Sequence, residues 1–189
     1  VDITDRAALV AAVQEAEAQF GPADALINNA GVMLLGAVGE QDPAQWEQML
    51  DVNVKGLLNG IHAVAGSMVA RKGGTIINVS SVAGRKTFPN HVAYVGTKFA
   101  VHGISENLRE ELSPSNVRVI TIAPGAVETE LLSHTTDEAI KTGYQAWKQD
   151  MGGTVLSADD VASAIAYAYQ QPQHVCIREI VLAATRQQP

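Results

Sequence analysis

The stretch Thr75-Ile76-Ile77-Asn78-Val79-Ser80-Ser81 decides how the rest of the chain reads. It is short, apolar and β-branched, the pattern of a buried strand, and it ends in two hydroxyls where a strand opens into a loop. After a loop holding Gly84 and Pro89, a helix is expected from about Asn90 to Leu112, carrying Tyr94 and Lys98 four residues apart. On a helix that spacing stacks both side chains on one face.

Charge dictates what such a pair can do. A free phenol titrates near pH 10, so Tyr94 alone is a poor base. A lysine ammonium about 4 Å away favours the phenolate by up to ~4 kcal/mol at an effective dielectric of 20, enough to lower the phenol pKa by about 1–3. Tyr94 is therefore expected to become a usable proton donor and acceptor. Ser81, leaving the strand, is placed to hydrogen-bond an oxygen whose charge changes as a carbonyl becomes an alcohol.

Four Tyr and six Lys among 189 residues give roughly 0.13 chance pairs at this spacing, so the pair alone is weak. Tyr144 and Lys148 repeat it, but the residue thirteen before Tyr144 is Leu131, with no hydroxyl-ended strand. Only Tyr94 has a serine, Ser81, thirteen residues upstream after a strand.

Taken together, Ser81 and Tyr94-x-x-x-Lys98 resemble the signature of the short-chain dehydrogenase/reductase family. Three further motifs stand in that family's order: Asn28-Asn29-Ala30-Gly31, Asn53, and Pro124-Gly125-Ala126-Val127-Glu128-Thr129. The resemblance covers essentially the whole chain. It implies an NAD(P)-dependent oxidoreductase interconverting a secondary alcohol and a carbonyl, with Tyr94 as acid/base. Lys98 would lower its pKa and hold the nicotinamide ribose, Ser81 would orient the substrate oxygen, and Asn53 would position a water in a proton relay toward Lys98. The cofactor would lie along Asn29, Ala30, Gly31, Pro124, Gly125 and Val127, with Thr129 bonding the nicotinamide carboxamide. Asp2, followed by apolar Ile3, matches the adenine-contacting position. Tyr94-x-x-Thr97-Lys98-Phe99-Ala100-Val101 resembles the bacterial branch and favours NADP over NAD. A homodimer or homotetramer paired through the helices carrying Asn53 and Tyr94 follows from the same resemblance. Two other readings stay open: a nucleotide binder or scaffold of this fold that does no chemistry, and an epimerase or dehydratase.

Strands and helices alternate throughout, which predicts one α/β domain with a parallel, doubly wound Rossmann-type sheet. An Ala-rich helix is expected from Asp5 to Gln19, stopped by Gly21-Pro22, and a strand over 23–28. A helix should run from the Asp42-Pro43 opening to Arg71-Lys72, with Asn53 inside it. A strand follows at 117–123, a helix capped by Ser157 and Asp160 runs to Gln170, a last strand spans 175–183, and a tail covers Gln187 to Pro189. Residues 131–153 mix a capping box from Thr135 to Glu138 with Leu131, Leu132, Tyr144, Trp147 and Met151. They read as a substrate lid whose apolar content suits a substrate with a hydrocarbon or ring portion. Neither G-x-G-x-x-G nor G-x-x-x-G-x-G occurs. The chain thus reads as starting near the end of the third strand, without a first β-α-β-α-β half of roughly 60 residues.

The composition excludes several classes. A formal net charge of −7 offers no basic stripe for nucleic acid or an anionic membrane, and no apolar run reaches the roughly 18 residues of a membrane helix. The single cysteine, Cys176, cannot form an internal disulfide, which suits a reducing cytoplasm. Five His with no close pair at ligand spacing give a metal site little support.

Overall fold

The structure, a computed structural model, describes residues 1–187. Its sheet has four strands, β1 (Ala25–Asn28), β2 (Gly74–Val79), β3 (Val117–Pro124) and β4 (Glu179–Leu182), all parallel and in the order β1-β2-β3-β4. Six α-helices accompany them: α1 (Arg6–Phe20), α2 (Pro43–Leu50), α3 (Leu57–Ala70), α4 (Val92–Leu112), α5 (Glu138–Asp150) and α6 (Ala158–Gln170).

The period-two alternation of β2 and β3 explains why helices cover both faces. Ile76, Val117 and Val119 join Leu57, Ile61, Val64 and Met68 of α3 and Val101 of α4 in one core. Their sequence neighbours Ile77 and Ile120, with Ile122, point the other way and pack on Ala168 of α6. All eight residues of β3 are buried, as expected for a central strand lacking a polar face. Each fully buried Ile or Val contributes about 1.5–3 kcal/mol, so these two strands are the fold's main anchor.

Buried polar groups tie the layers together. Asn28 and Asn78 are register partners on β1 and β2, and Asn28 Nδ2 donates to Asn78 Oδ1 at 2.9 Å. Asn78 Nδ2 in turn donates to Ser105 Oγ of α4 at 2.9 Å. Arg118, 5% exposed, donates to Thr75 Oγ1 on β2 at 2.8 and 3.0 Å, and to the C-terminal carbonyls Tyr169 O at 2.9 Å and Gln171 O at 2.7 Å. A cation at the end of α6 also suits its dipole. Arg118→Met strands these acceptors in the interior, so the stability measured by urea denaturation should fall by about 3 kcal/mol. A loss under about 1 kcal/mol would mean that water replaces the guanidinium there.

Several expected boundaries shift for local reasons. The helix expected over 42–71 is divided, because Asp51–Gly56 forms a π-helical turn between α2 and α3. The last strand is only Glu179–Leu182, paired with Thr121 to Pro124 of β3; ahead of it Val175 O accepts from Arg118 Nη1 at 3.4 Å and Cys176 Sγ donates to Val119 O at 3.6 Å, side-chain contacts in place of the ladder. Asp137, not Thr135, caps α5, accepting from Ala139 N and Ile140 N at 2.9 and 3.0 Å. Thr135 is instead buried, accepting from Leu35 N at 3.1 Å and donating to Met33 O at 3.2 Å. The Ser157/Asp160 capping box forms as expected. Residues 188 and 189 of the expected tail lie outside the described residues, whereas Gln187 accepts from Ala126 N at 2.9 Å.

Candidate active site

In a parallel sheet every strand presents its carboxyl end at the same edge, and ligands bind there in open α/β folds. A cleft of about 1050 Å³ opens at that edge, bounded by the segments that leave β1, β2 and β3 together with the first turns of α4. Ser81, Tyr94, Lys98, Asn29, Ala30, Gly31, Pro124, Gly125, Val127 and Thr129 all line it. Residues from four separate stretches of sequence therefore meet in one cleft.

Helical spacing sets Tyr94 and Lys98 one turn apart, 6% and 7% exposed, with Lys98 Nζ 5.6 Å from the centre of the Tyr94 ring. Ser81 stands near enough to the Tyr94 phenol to lower its pKa, while its own Oγ donates to Pro124 O at 3.4 Å. Ser81 is itself held as the cap of a short turn at Val82–Gly84, its Oγ accepting from Ala83 N at 3.0 Å. Lys98 Nζ donates to Val79 O at 3.2 Å.

The electrostatics differ from the expectation in one respect. Burial pushes the Tyr94 phenol above its ordinary value, and Ser81 lowers it by less than burial raises it, with Tyr144 adding a further rise. The net direction is therefore up, opposite to the lowering expected from Lys98. Burial also pushes Lys98 down to about 8. The physical reason is shared: both groups sit where solvation of charge is weak, so the neutral form of each is favoured. Tyr94 accordingly rests as a proton donor.

Asn53, 3% exposed, lies beside these groups. Its side chain is closed in a reciprocal pair with Val32, Val32 N donating to Oδ1 at 2.8 Å and Nδ2 donating to Val32 O at 2.9 Å. Nδ2 also donates to Thr97 Oγ1 at 3.1 Å, and Thr97 donates to Tyr94 O at 2.8 Å. The amide thus clamps the segment after β1 to α4, while its own position is set by the π-turn, a feature frequent at functional sites. Gly31 fits against this clamp: a Cβ there would stand 3.2 Å from Asn53 Oδ1 and 3.8 Å from Lys98 Nζ.

Asp2 and Ile3 are not brought to the cleft. Both carboxylate contacts of Asp2 go to Thr4, its N and Oγ1 each donating at 2.8 Å, which holds Asp2 below the usual carboxylate range. Ile3 lies against Gly56, and its carbonyl accepts from Asn59 Nδ2 at 2.9 Å. Tyr144 and Lys148, set aside above for lack of a preceding strand, do line the cleft, but Lys148 is paired with Glu128.

Residues unremarked in the sequence complete one wall. Phe88 and His91, from the loop before α4, join Tyr144 and Trp147 of α5 in a chain of rings with centroids 5.2 to 6.5 Å apart, and His91 also stands 6.1 Å from Tyr94. Burial holds the His91 imidazole below its ordinary value and so favours its neutral form. Only their aromatic type could have marked Phe88 and His91, because loop residues carry no periodicity.

These features define a Rossmann-type α/β protein with its ligand cleft at the carboxyl ends of the strands. Comparison with known proteins supplies the family. Residues 1–140 match the model of short chain dehydrogenases. An uncharacterized oxidoreductase of Listeria monocytogenes is 39% identical over 188 residues, covering 98% of this chain and 75% of that protein. The closed form of serine dehydrogenase complexed with NADP+ superposes with a TM-score of 0.90 at 32% identity, covering 100% of this chain and 76% of that one. A gluconate 5-dehydrogenase of Burkholderia cenocepacia, in complex with NADP and tartrate, gives 0.81 at 28% identity over 96% and 71%. The chain belongs to the short-chain dehydrogenase/reductase family and is a homologue of its oxidoreductases.

Proposed function

We propose that this protein is an NADP-dependent oxidoreductase that interconverts a carbonyl and an alcohol, on a substrate with an apolar portion. The observation that carries the reading is that Ser81, Tyr94 and the buried Lys98 ammonium line one cleft of about 1050 Å³, with Lys98 Nζ 5.6 Å from the centre of the Tyr94 ring. NADP is preferred to NAD because the relatives named above hold NADP.

The residues present suit the nicotinamide and ribose end of such a cofactor. Gly31 leaves bare backbone next to Lys98, and Val79 O takes one of the three ammonium hydrogens. Asn29, Ala30 and Gly31 would flank the ribose, and Thr129 the carboxamide. No glycine-rich phosphate turn occurs among these 189 residues. When bound, the nicotinamide supplies or receives the hydride.

The chain's own groups handle the proton. In reduction, Ser81 and Tyr94 both donate to the substrate oxygen, and the Tyr94 proton passes to it as the carbonyl carbon becomes an alcohol carbon. The phenolate left behind is a charge in a weakly solvating site, and there the Lys98 ammonium counts, because attraction grows as the local dielectric falls. Lys98 thus acts on the charged state of Tyr94 more than on its resting state. Asn53 keeps the segment after β1 and α4 in register, so Gly31 and Lys98 stay aligned.

A panel of aliphatic and aryl aldehydes and ketones, followed by loss of NADPH absorbance, tests the reading; consumption with none of them would overturn it. The aromatic wall gives a further expectation. Trp147→Ala removes a large apolar face from the cleft, so KM for the best apolar substrate should rise about tenfold with kcat changed less. An unchanged KM would place the substrate elsewhere. Exposed Leu58, Val69 and Phe99 on α3 and α4 leave apolar surface for a second copy, and a homodimer or homotetramer is the proposed assembly.

A further inference from the structure

Four polar side chains form a chain that the mechanism above does not use. Ser80, 4% exposed, directly precedes Ser81, and its Oγ lies 2.9 Å from His102 Nδ1. Both Ser80 Oγ and His102 Nδ1 lie 3.1 Å from the carbonyl oxygen of Lys98. On its far side His102 Nε2 is 3.0 Å from Glu179 Oε1, and Glu179 Oε2 accepts from Arg85 Nη1 at 3.2 Å. The end of β2, the turn after it, α4 and β4 therefore meet at one imidazole.

Chemistry assigns the direction of these bonds. A carboxylate can only accept, so the His102 Nε2 carries the hydrogen toward Glu179, while the Ser80 hydroxyl donates to Lys98 O and stands within hydrogen-bond distance of Nδ1. Packing adds a second constraint. A Cβ on Gly84 would collide with His102 Nδ1 and stand 2.7 Å from Lys98 O, so the turn rests directly on the imidazole and the helix behind it. The groups facing His102 are Glu179 from β4, Arg85 and Ser80 from the segment after β2, and the Lys98 carbonyl of its own helix.

We propose that His102, oriented by Glu179, is a positioning residue for Ser81: it is the wall against which the Ser80–Arg85 turn is set so that the Ser81 hydroxyl meets Tyr94. The assignment rests on the oxidoreductase reading for its catalytic consequence, not for its structural one. Residues either side of Ser81 are held, Ser80 by a hydrogen bond and Gly84 by contact, so the hydroxyl between them has little freedom to drift. A displacement of about 1 Å at such a group costs on the order of a hundredfold in rate when it is complete.

The test uses two substitutions in the full-length protein. His102→Phe keeps a ring and loses the polar contacts, whereas His102→Gln keeps one donor for Glu179 and a polar group beside Ser80. His102→Phe should lower kcat about tenfold with KM for NADPH within about twofold, and His102→Gln should stay within about twofold of the parent. In a Ser81→Ala background, His102→Phe should cost less than about twofold more, because it acts through Ser81. Amide hydrogen exchange needs no turnover: Ala83, Gly84 and Arg85 should exchange at least about tenfold faster in His102→Phe, with Val101 and Ser105 of α4 unchanged. That readout decides the structural assignment even if the carbonyl panel is silent and the oxidoreductase reading falls. Unchanged turn amides, acceleration spread equally over the whole chain, or losses that multiply fully with Ser81→Ala would each overturn the proposal. Should His102→Phe fail to fold, Glu179→Gln serves instead, with about a threefold loss of kcat and the same local exchange expected.

Discussion

Tyr94→Phe should lower kcat for carbonyl reduction by about 10³-fold while NADPH binding, read by fluorescence titration, stays within about threefold. The substitution removes one oxygen from a ring otherwise packed among Met33, Leu34, Met49 and Ala83, so the wall of the cleft keeps its shape. What disappears is the proton for the substrate oxygen. Ser81 remains as a donor, but a serine hydroxyl is far too weak an acid to release its proton to the developing alkoxide. Burial has already set the phenol as the protonated partner, which is the form reduction consumes. A variant retaining more than about a tenth of the parent rate would move the acid role away from Tyr94.

Lys98→Met should abolish most of the activity and, at neutral pH, make the fold more stable. The ammonium is 7% exposed, and burial brings its pKa from 10.5 to about 8. Below pH 8 the lysine is protonated both folded and unfolded, and the folded state bears the full cost of burying the charge, on the order of 3 kcal/mol. Between pH 8 and 10.5 the folded state sheds the proton while the unfolded chain still holds it. Stability of the parent therefore rises with pH through that window. Methionine fills similar space without charge and loses the bond to Val79 O, worth about 1 kcal/mol, which leaves a net gain of about 2 kcal/mol at pH 7. The gain should vanish by about pH 10.5. Urea midpoints for both proteins without cofactor, at pH 7 and 10, check this; a Lys98→Met chain less stable than its parent at pH 7 would show that the ammonium is well solvated after all. The same pKa predicts that activity dependent on the Lys98 charge declines as pH rises through about 8.

The two effects belong together. A site that must hold a charge beside a phenol in a poorly solvated cleft is locally destabilising, and the isoleucines and valines of β2 and β3 hold the surrounding fold against it.

Elements whose signal is local were legible. The β-branched runs of β2 and β3, the Asp42-Pro43 opening of α2 and the Ser157/Asp160 box of α6 all stand where the sequence places them. The π-turn around Asn53 was not legible, because its residues have ordinary helical character and nothing in them announces a different hydrogen-bond step. Thr135 shows the opposite failure: a residue suited to a helix cap was claimed by a loop a hundred positions earlier, while Asp137, two residues on, did the capping.

By itself the sequence determined the family and the parallel α/β order and singled out Ser81, Tyr94 and Lys98 as candidates, because motif spacing, β-branching and helical period are properties of neighbours along the chain. Tertiary structure alone decided that burial raises the Tyr94 phenol above its ordinary value, that the Asn53 amide clamps Val32 rather than standing free, and that His102 reaches Ser80 and Glu179. Each of those depends on how much water surrounds a group and which distant atom lies within 3 Å of it. Such quantities arise only when strands, turns and helices far apart in sequence are packed together.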